Sequence, residues 1–170
     1  MAARTLLVCY CAVFFLSAVL LFSAQPMIAK LVLPRYGGSS AVWTTCMVFF
    51  QATLLAGYAY AHMTSLWLKR RGQVLLHIGL VLLSVVLLPI AVPTDAAPSA
   101  TGNPVFSLIL LLAICAGGPF FVVTTTAPLL QRWFAQTNHP SAGDPYFLYA
   151  VSNIGSMFGL LAYPLLFEPW

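Results

Sequence analysis

The residues able to do chemistry are few in this 170-residue chain, and their spacing is unpromising for catalysis. The carboxylates are Asp95, Asp144 and Glu168. General acid–base work needs a titratable group within hydrogen-bond reach of its partner. None of the three lies inside an apolar run beside a histidine. No GxSxG or HExxH occurs, and no GxGxxG follows a strand; Gly37-Gly38-Ser39-Ser40 reads only as a turn between apolar segments. Cys9, Cys11, Cys46 and Cys115 lack CxxC or Cys/His spacing. Cys9 and Cys11 are two apart and face different sides of a helix, so all four are expected to be small packing residues. His62 and His77 flank Lys69-Arg70-Arg71. Histidines on neighbouring helices can ligate a b-type haem, but both fall near the ends of apolar runs, where a histidine needs no cofactor. The expectation is therefore no catalytic residue, no metal and no cofactor. A haem protein would instead show a Soret band.

The elements that carry these residues are set by composition. Hydrophobic residues make up 61% of the chain and charged residues 6%, against about 25% charged in soluble domains. The mean hydropathy is +0.95. A disordered chain is excluded by the apolar content. Nucleic-acid binding is not expected, because the net charge of +4 comes from seven basic residues whose only cluster is Lys69–Arg71. The expected solvent, and first partner, is a lipid bilayer. Crossing its hydrocarbon takes about 20 apolar residues, which predicts five spans: Leu6–Leu33, Ala41–Leu66, Val74–Ala91, Val105–Phe134 and Tyr146–Phe167. Spanning backbone must satisfy its own polar groups, and the runs lack the alternation of barrel strands. The fold class expected is all-α, a single polytopic transmembrane helix bundle over residues 1–170. With the N-terminus inside, Arg4, Lys69, Arg70, Arg71 and Arg132 are cytoplasmic, and only Lys30 and Arg35 are outside. This distribution predicts a multi-pass cell-membrane protein with a cytoplasmic N-terminus, an outer Val92–Pro104 loop and an outer C-terminus. Arg4, Leu6–Phe22 and Ser23-Ala24 also resemble a signal peptide. The apolar run continues through Met27–Leu33, however, so the first span is expected to be retained.

Several helix interiors carry breakers and polar groups. Pro26 predicts a kink, since it cannot donate to the carbonyl of Phe22. Gly117-Gly118-Pro119 predicts a stronger interruption of the fourth span, followed by Pro128 after Thr124-Thr125-Thr126, whose hydroxyls can bond back to freed carbonyls. Interrupted helices often border substrate sites in transporters, although proline is also common in membrane helices. Gln25, Gln51, Tyr58, His62 and Asn153 are candidate cavity-lining or interhelical polar residues, with His77 and Gln131 near span ends. Gln51, Leu55, Tyr58 and His62 fall on one helical stripe. Such a stripe is expected to face the bundle interior or a wet cavity. Gly155-x-x-x-Gly159, Ser152-x-x-x-Ser156 and Gly57-x-x-x-Ala61 predict close helix contacts.

Collinear stretches resemble the membrane part of the spermidine-synthase-like integral membrane proteins, also described as fused major-facilitator/spermidine synthases. They are Gln25-Pro26-Met27-Ile28-Ala29-Lys30, Leu33-Pro34-Arg35-Tyr36-Gly37-Gly38, Ala41-Val42-Trp43-Thr44-Thr45-Cys46-Met47 and Phe49-Phe50-Gln51. Ala56-Gly57-Tyr58-Ala59-Tyr60-Ala61-His62, Pro128-Leu129-Leu130-Gln131-Arg132-Trp133-Phe134 and Tyr149–Ser156 complete the set. The resemblance implies a bundle like part of a major-facilitator half, joined in the family to a soluble aminopropyltransferase-like domain. That domain's nucleotide-site glycines and polyamine-binding carboxylates have no counterpart up to Trp170, so the expectation is a fragment or truncated member, and synthase chemistry would require sequence beyond Trp170. The functional expectation is a non-enzymatic, transporter-like membrane bundle of unknown cargo. The alternative is a membrane anchor or assembly subunit for a soluble partner. Further helices, from another segment or a homo-oligomer, are expected to complete it. The chain should require detergent to stay monodisperse; a monodisperse preparation in detergent-free buffer would contradict the lipid-solvated reading.

Overall fold

The computed structural model describes residues 2–93 and 103–167. The expected outer loop falls largely, and Asp95 and Glu168 wholly, outside the described residues. Among the described residues the chain is helical, with no strand. The helices are α1 (Ala2–Tyr36), α2 (Ser40–Trp67), α3 (Arg70–Val86), α4 (Pro104–Leu112), α5 (Gly118–Ala135) and α6 (Phe147–Ala162). A π-turn at Ala113–Gly117 joins α4 to α5, a 3-10 turn covers Pro140–Gly143, and a second π-turn at Tyr163–Phe167 follows α6. Four stretches are long and apolar enough to cross a membrane: Ala3–Tyr36, Ser40–Trp67, Pro104–Ala135 and Phe147–Leu166. With 17 residues, α3 lies at the short end of the spanning range. The protein is a multi-pass helical membrane bundle.

Local chemistry sets the boundaries. The first helix runs past the expected end at Leu33 and through Pro34. Pro34 leaves a carbonyl free one turn back, and the Arg35 guanidinium donates to the neighbouring carbonyl of Leu31. Gly37 then ends α1 with φ +84°, a left-handed conformation that glycine adopts without a Cβ clash. Ser39 caps α2, its Oγ accepting from the Val42 N–H at 3.4 Å. Asn103 caps α4 by accepting from the Val105 N–H at 2.9 Å, with Pro104 in the first turn. The third helix occupies Arg70–Val86 rather than Val74–Ala91. Its early end follows from Pro89, which disfavours helical backbone at Leu88 and cannot continue the ladder. Arg35 Nη2 also donates to the Val92 carbonyl at 3.3 Å. The end of α1 and the chain leaving α3 thus meet, as an up–down–up arrangement requires.

The residues expected to break helices lie within continuous helical paths. Pro26 lies within the continuous α1. At Gly117-Gly118-Pro119 the helical path continues from Pro104 to Ala135, with the π-turn immediately before Gly118 absorbing the defect. A π-turn is a local widening that lets a helix pass a residue unable to donate its N–H.

The contacts form two compact units. One comprises Met1–Ser23 and Val123–Trp170, the other Ala24–Val122. In the first, Phe14, Phe134 and Leu148 form a buried cluster, with Tyr10 and Phe147 edge-on to Phe134 at ring-centroid distances of 5.1 and 5.6 Å. Here α6 crosses α1 at Gly155 and Gly159. A Cβ on Gly155 would stand 2.6 Å from the Phe15 carbonyl oxygen, and one on Gly159 2.8 Å from that of Val19. This is the close approach predicted from Gly155-x-x-x-Gly159, and van der Waals packing at such crossings drives helix association in lipid. In the second unit, α2 packs against α4 and α3. Phe50 lies 4.8 Å from Phe120, and Tyr60 lies edge-on to Phe121 at 5.6 Å, both between ring centroids.

Both glycines meet backbone, which cannot swing aside. Gly155→Ala and Gly159→Ala should each cost about 1–3 kcal/mol by overpacking, read as loss of thermal stability in detergent. Gly79→Ala is the control. Its Cβ would enter open space, and removing a helix-interior glycine is expected to raise stability by up to about 1 kcal/mol.

Candidate functional site

In lipid the usual burial rule loosens for apolar side chains and tightens for polar ones. Large apolar residues such as Leu16, Leu20, Leu75 and Val86 are exposed, as a hydrocarbon solvent permits. The buried polar residues are Ser17, Ser23, Thr45, Thr64, Gln73, His77, Ser84, Thr124 and Thr125. Many satisfy themselves on their own helix. Ser23 Oγ donates to the Val19 carbonyl at 2.6 Å, Thr45 Oγ1 to Ala41 at 2.8 Å and Thr64 Oγ1 to Tyr60 at 2.8 Å. Ser156 Oγ likewise donates to Ser152, at 2.9 Å.

The polar residues singled out in the sequence behave differently. Gln51, Tyr58 and His62 do share one stripe of α2, with Leu55 between them. That stripe is exposed: of the two settings expected for it, the bundle interior or a wet cavity, it is not packed in the interior. Leu55 is 69% and Tyr58 51% exposed. The inward face of α2 carries Cys46, Phe49, Phe50, Gly57, Ala61 and Thr64 instead. The physical reason is competition for the inner face. Gly57 and Ala61 allow close approach, while two phenylalanines supply aromatic contacts, and these features take the face opposite the stripe.

The other candidates stand apart from it. Gln25 and Pro26 are half-buried on α1, in the unit that holds α2. Gly117, Gly118 and Pro119 are half-buried around the π-turn in that same unit. Asn153 is exposed on α6, in the other unit. An open apolar groove of about 480 Å³ lies between Ala59, Tyr60, Met63 and Trp67 of α2 and Leu76 of α3. None of the predicted polar candidates lines it. The Tyr60 hydroxyl is buried and has no hydrogen-bond partner.

Sequence reasoning undervalued Gln73 and His77, both buried on α3. Gln73 Nε2 donates to the Leu68 carbonyl at 2.8 Å, tying the start of α3 to the turn after α2. The signal was present as one-turn spacing, i and i+4, on a short helix. Among the described residues, no group of three or more His, Cys, Asp and Glu could hold a metal ion. His62 is exposed whereas His77 is buried. The Asp144 carboxylate accepts from the Tyr146 N–H at 3.3 Å, a local turn role.

No protein-family model, curated protein or solved structure matches the chain.

The unpartnered Tyr60 hydroxyl gives nothing to the fold. Tyr60→Phe should leave thermal stability in detergent unchanged or raise it by up to about 1 kcal/mol, since a buried donor without an acceptor carries a desolvation cost. A loss exceeding 1 kcal/mol would reveal a bond in the folded protein.

Proposed function

We propose that this chain is a non-enzymatic membrane module whose work is assembly: it spans the bilayer and presents the outer stripe of α2 to other protein. The observation that carries this reading is the exposure of Gln51, Tyr58 and His62 on a 28-residue helix that crosses the membrane. If α2 is centred in the bilayer, a rise of 1.5 Å per residue puts Gln51 about 4 Å from the midplane and Tyr58 about 7 Å away. A primary amide left there without partners costs several kcal/mol relative to water. Neither acyl chains nor a soluble domain can supply hydrogen bonds at that depth; another helix can. The resemblance to the spermidine-synthase-like membrane proteins agrees with a module that serves a larger architecture, including a soluble partner. The basic residues support a cytoplasmic N-terminus. The candidate residues have no carboxylate within a described span, which favours a non-enzymatic role.

A second reading, half of a transporter, draws support from the π-turn before Pro119 and from Pro26 and Pro128, since broken helices border the substrate path in many transporters. On that reading the α2 stripe is one wall of a water-filled cavity.

The two readings separate by solvent. Single cysteines are placed at Leu55 and Tyr58 after replacing Cys9, Cys11, Cys46 and Cys115, in the full chain reconstituted in liposomes. The assembly reading expects both positions to resist a membrane-impermeant maleimide and a lipid-phase quencher of an attached fluorophore. Val86, exposed on α3, serves as the lipid-facing reference. Rapid maleimide labelling favours the cavity and overturns assembly. Quenching as strong as at Val86 overturns both.

A further inference from the structure

The open groove between α2 and α3 has a charged mouth. Its α2 wall runs from Ala56 to Trp67, with Leu68 at its end and Leu76 of α3 across it. The wall offers a ligand little but hydrocarbon. The Thr64 hydroxyl is engaged by the Tyr60 carbonyl at 2.8 Å, and the Tyr60 hydroxyl is buried. Trp67, whose indole carries the remaining polar atom of the lining, stands at the groove's end and is 73% exposed. Immediately beyond Leu68 come Lys69, Arg70 and Arg71, all exposed. Residues 40–86 contain no Asp or Glu to neutralise them. Gly72, one turn before Leu76, places no side chain of its own between the charged turn and the groove; a Cβ there would lie 3.6 Å from the Cβ of Leu68.

We propose that the groove and the basic turn together seat one anionic phospholipid, with an acyl chain lying along α2 and the phosphate held by Lys69, Arg70 and Arg71. Dimensions select the occupant. From Ala56 to Leu68 the lining runs about 18 Å along α2, close to the roughly 15 Å of hydrocarbon in one leaflet. The groove thus begins near the middle of the helix and ends at the cations, as a lipid runs from chain end to headgroup. A second helix fits poorly: over that length a cylinder about 10–12 Å across takes at least about three times the groove's 480 Å³. Charge then selects the class of lipid. A zwitterionic headgroup brings its own cation to a turn that already holds three, whereas an anionic one brings only the complementary charge. Arginine also binds phosphate oxygens in pairs. Trp67 beside the turn suits the headgroup level, where indoles settle. With the N-terminus cytoplasmic, the turn faces the leaflet that carries anionic lipid.

The test titrates the full chain in detergent with dioleoyl phosphatidylglycerol and, separately, with dioleoyl phosphatidylcholine, reading bound lipid by native mass spectrometry. One phosphatidylglycerol should bind saturably, and phosphatidylcholine, with the same chains, far more weakly. Lys69→Gln, Arg70→Gln and Arg71→Gln should each weaken phosphatidylglycerol binding about fivefold, the factor for one cation at an anionic headgroup layer, and leave phosphatidylcholine unchanged. Ala59→Phe and Met63→Trp, at exposed positions on the groove wall, should remove the saturable site with the cations intact. Ala52→Phe, exposed on α2 outside the groove, should not. Equal affinity for the two lipids, or indifference to all three glutamine variants, overturns the proposal. So does a phosphatidylglycerol preference that survives both groove-filling variants, since the turn then attracts anions without a seat for the chain. Absence of saturable binding, the result if other protein fills the groove, overturns it as well.

Discussion

Hydrocarbon offers no hydrogen bonds, and this constraint governs nearly every feature of the molecule. It explains why the described chain is helical without strands, since each helix closes its own backbone ladder. It explains why serines and threonines are the main buried polar residues: their hydroxyls reach carbonyls three or four residues back, as Ser17 does to Phe14 and Thr53 to Phe49. It also gives the α2 stripe its meaning. The amide, phenol and imidazole of Gln51, Tyr58 and His62 are too large to be absorbed by their own backbone in the way a hydroxyl is.

Where lipid is the solvent, apolar burial contributes little to holding helices together, and close packing takes its place. The two units show two versions of this. In one, glycines let backbone meet backbone, with Gly155 and Gly159 of α6 set against the carbonyls of Phe15 and Val19. In the other, aromatic rings fill the space: Phe49 meets Phe50, Phe50 meets Phe120, and Tyr60 meets Phe121. A glycine contact tolerates almost no added volume. Ring contacts rest on edge geometry and accept small shifts.

The features most legible in the sequence follow from length and composition alone. Uninterrupted apolar runs required spanning helices, and the Gly155/Gly159 pair marked a close crossing because only a missing Cβ allows one. The end of α1 was less legible, because Pro34 reads as a stop until Arg35 and Gly37 are seen to finish the helix beyond it. The facing of α2 was legible as a stripe but not as a direction. In water a polar stripe points outward and an apolar one inward, but in lipid both faces of a helix are apolar enough that periodicity alone leaves the inner face undecided. Gly57 and Ala61, noted as a close-contact pattern, carried the answer: small residues mark the packed side, and Gln51 lies about 80–120° round the helix from them.

The π-turn at Ala113–Gly117 has a consequence for how its helix keeps one side turned inward. Leu108, Leu112, Ala116, Phe120 and Thr124 are all buried and recur every fourth residue. In an unbroken α-helix this interval advances by about 40° per step, so the row would wind about 160° around the axis between Leu108 and Thr124. A π-turn takes up one extra residue and cuts that winding to about 60°. Gly117, Gly118 and Pro119 thus do more than weaken a helix: they reset its phase, so that a row spaced by fours continues along a single flank.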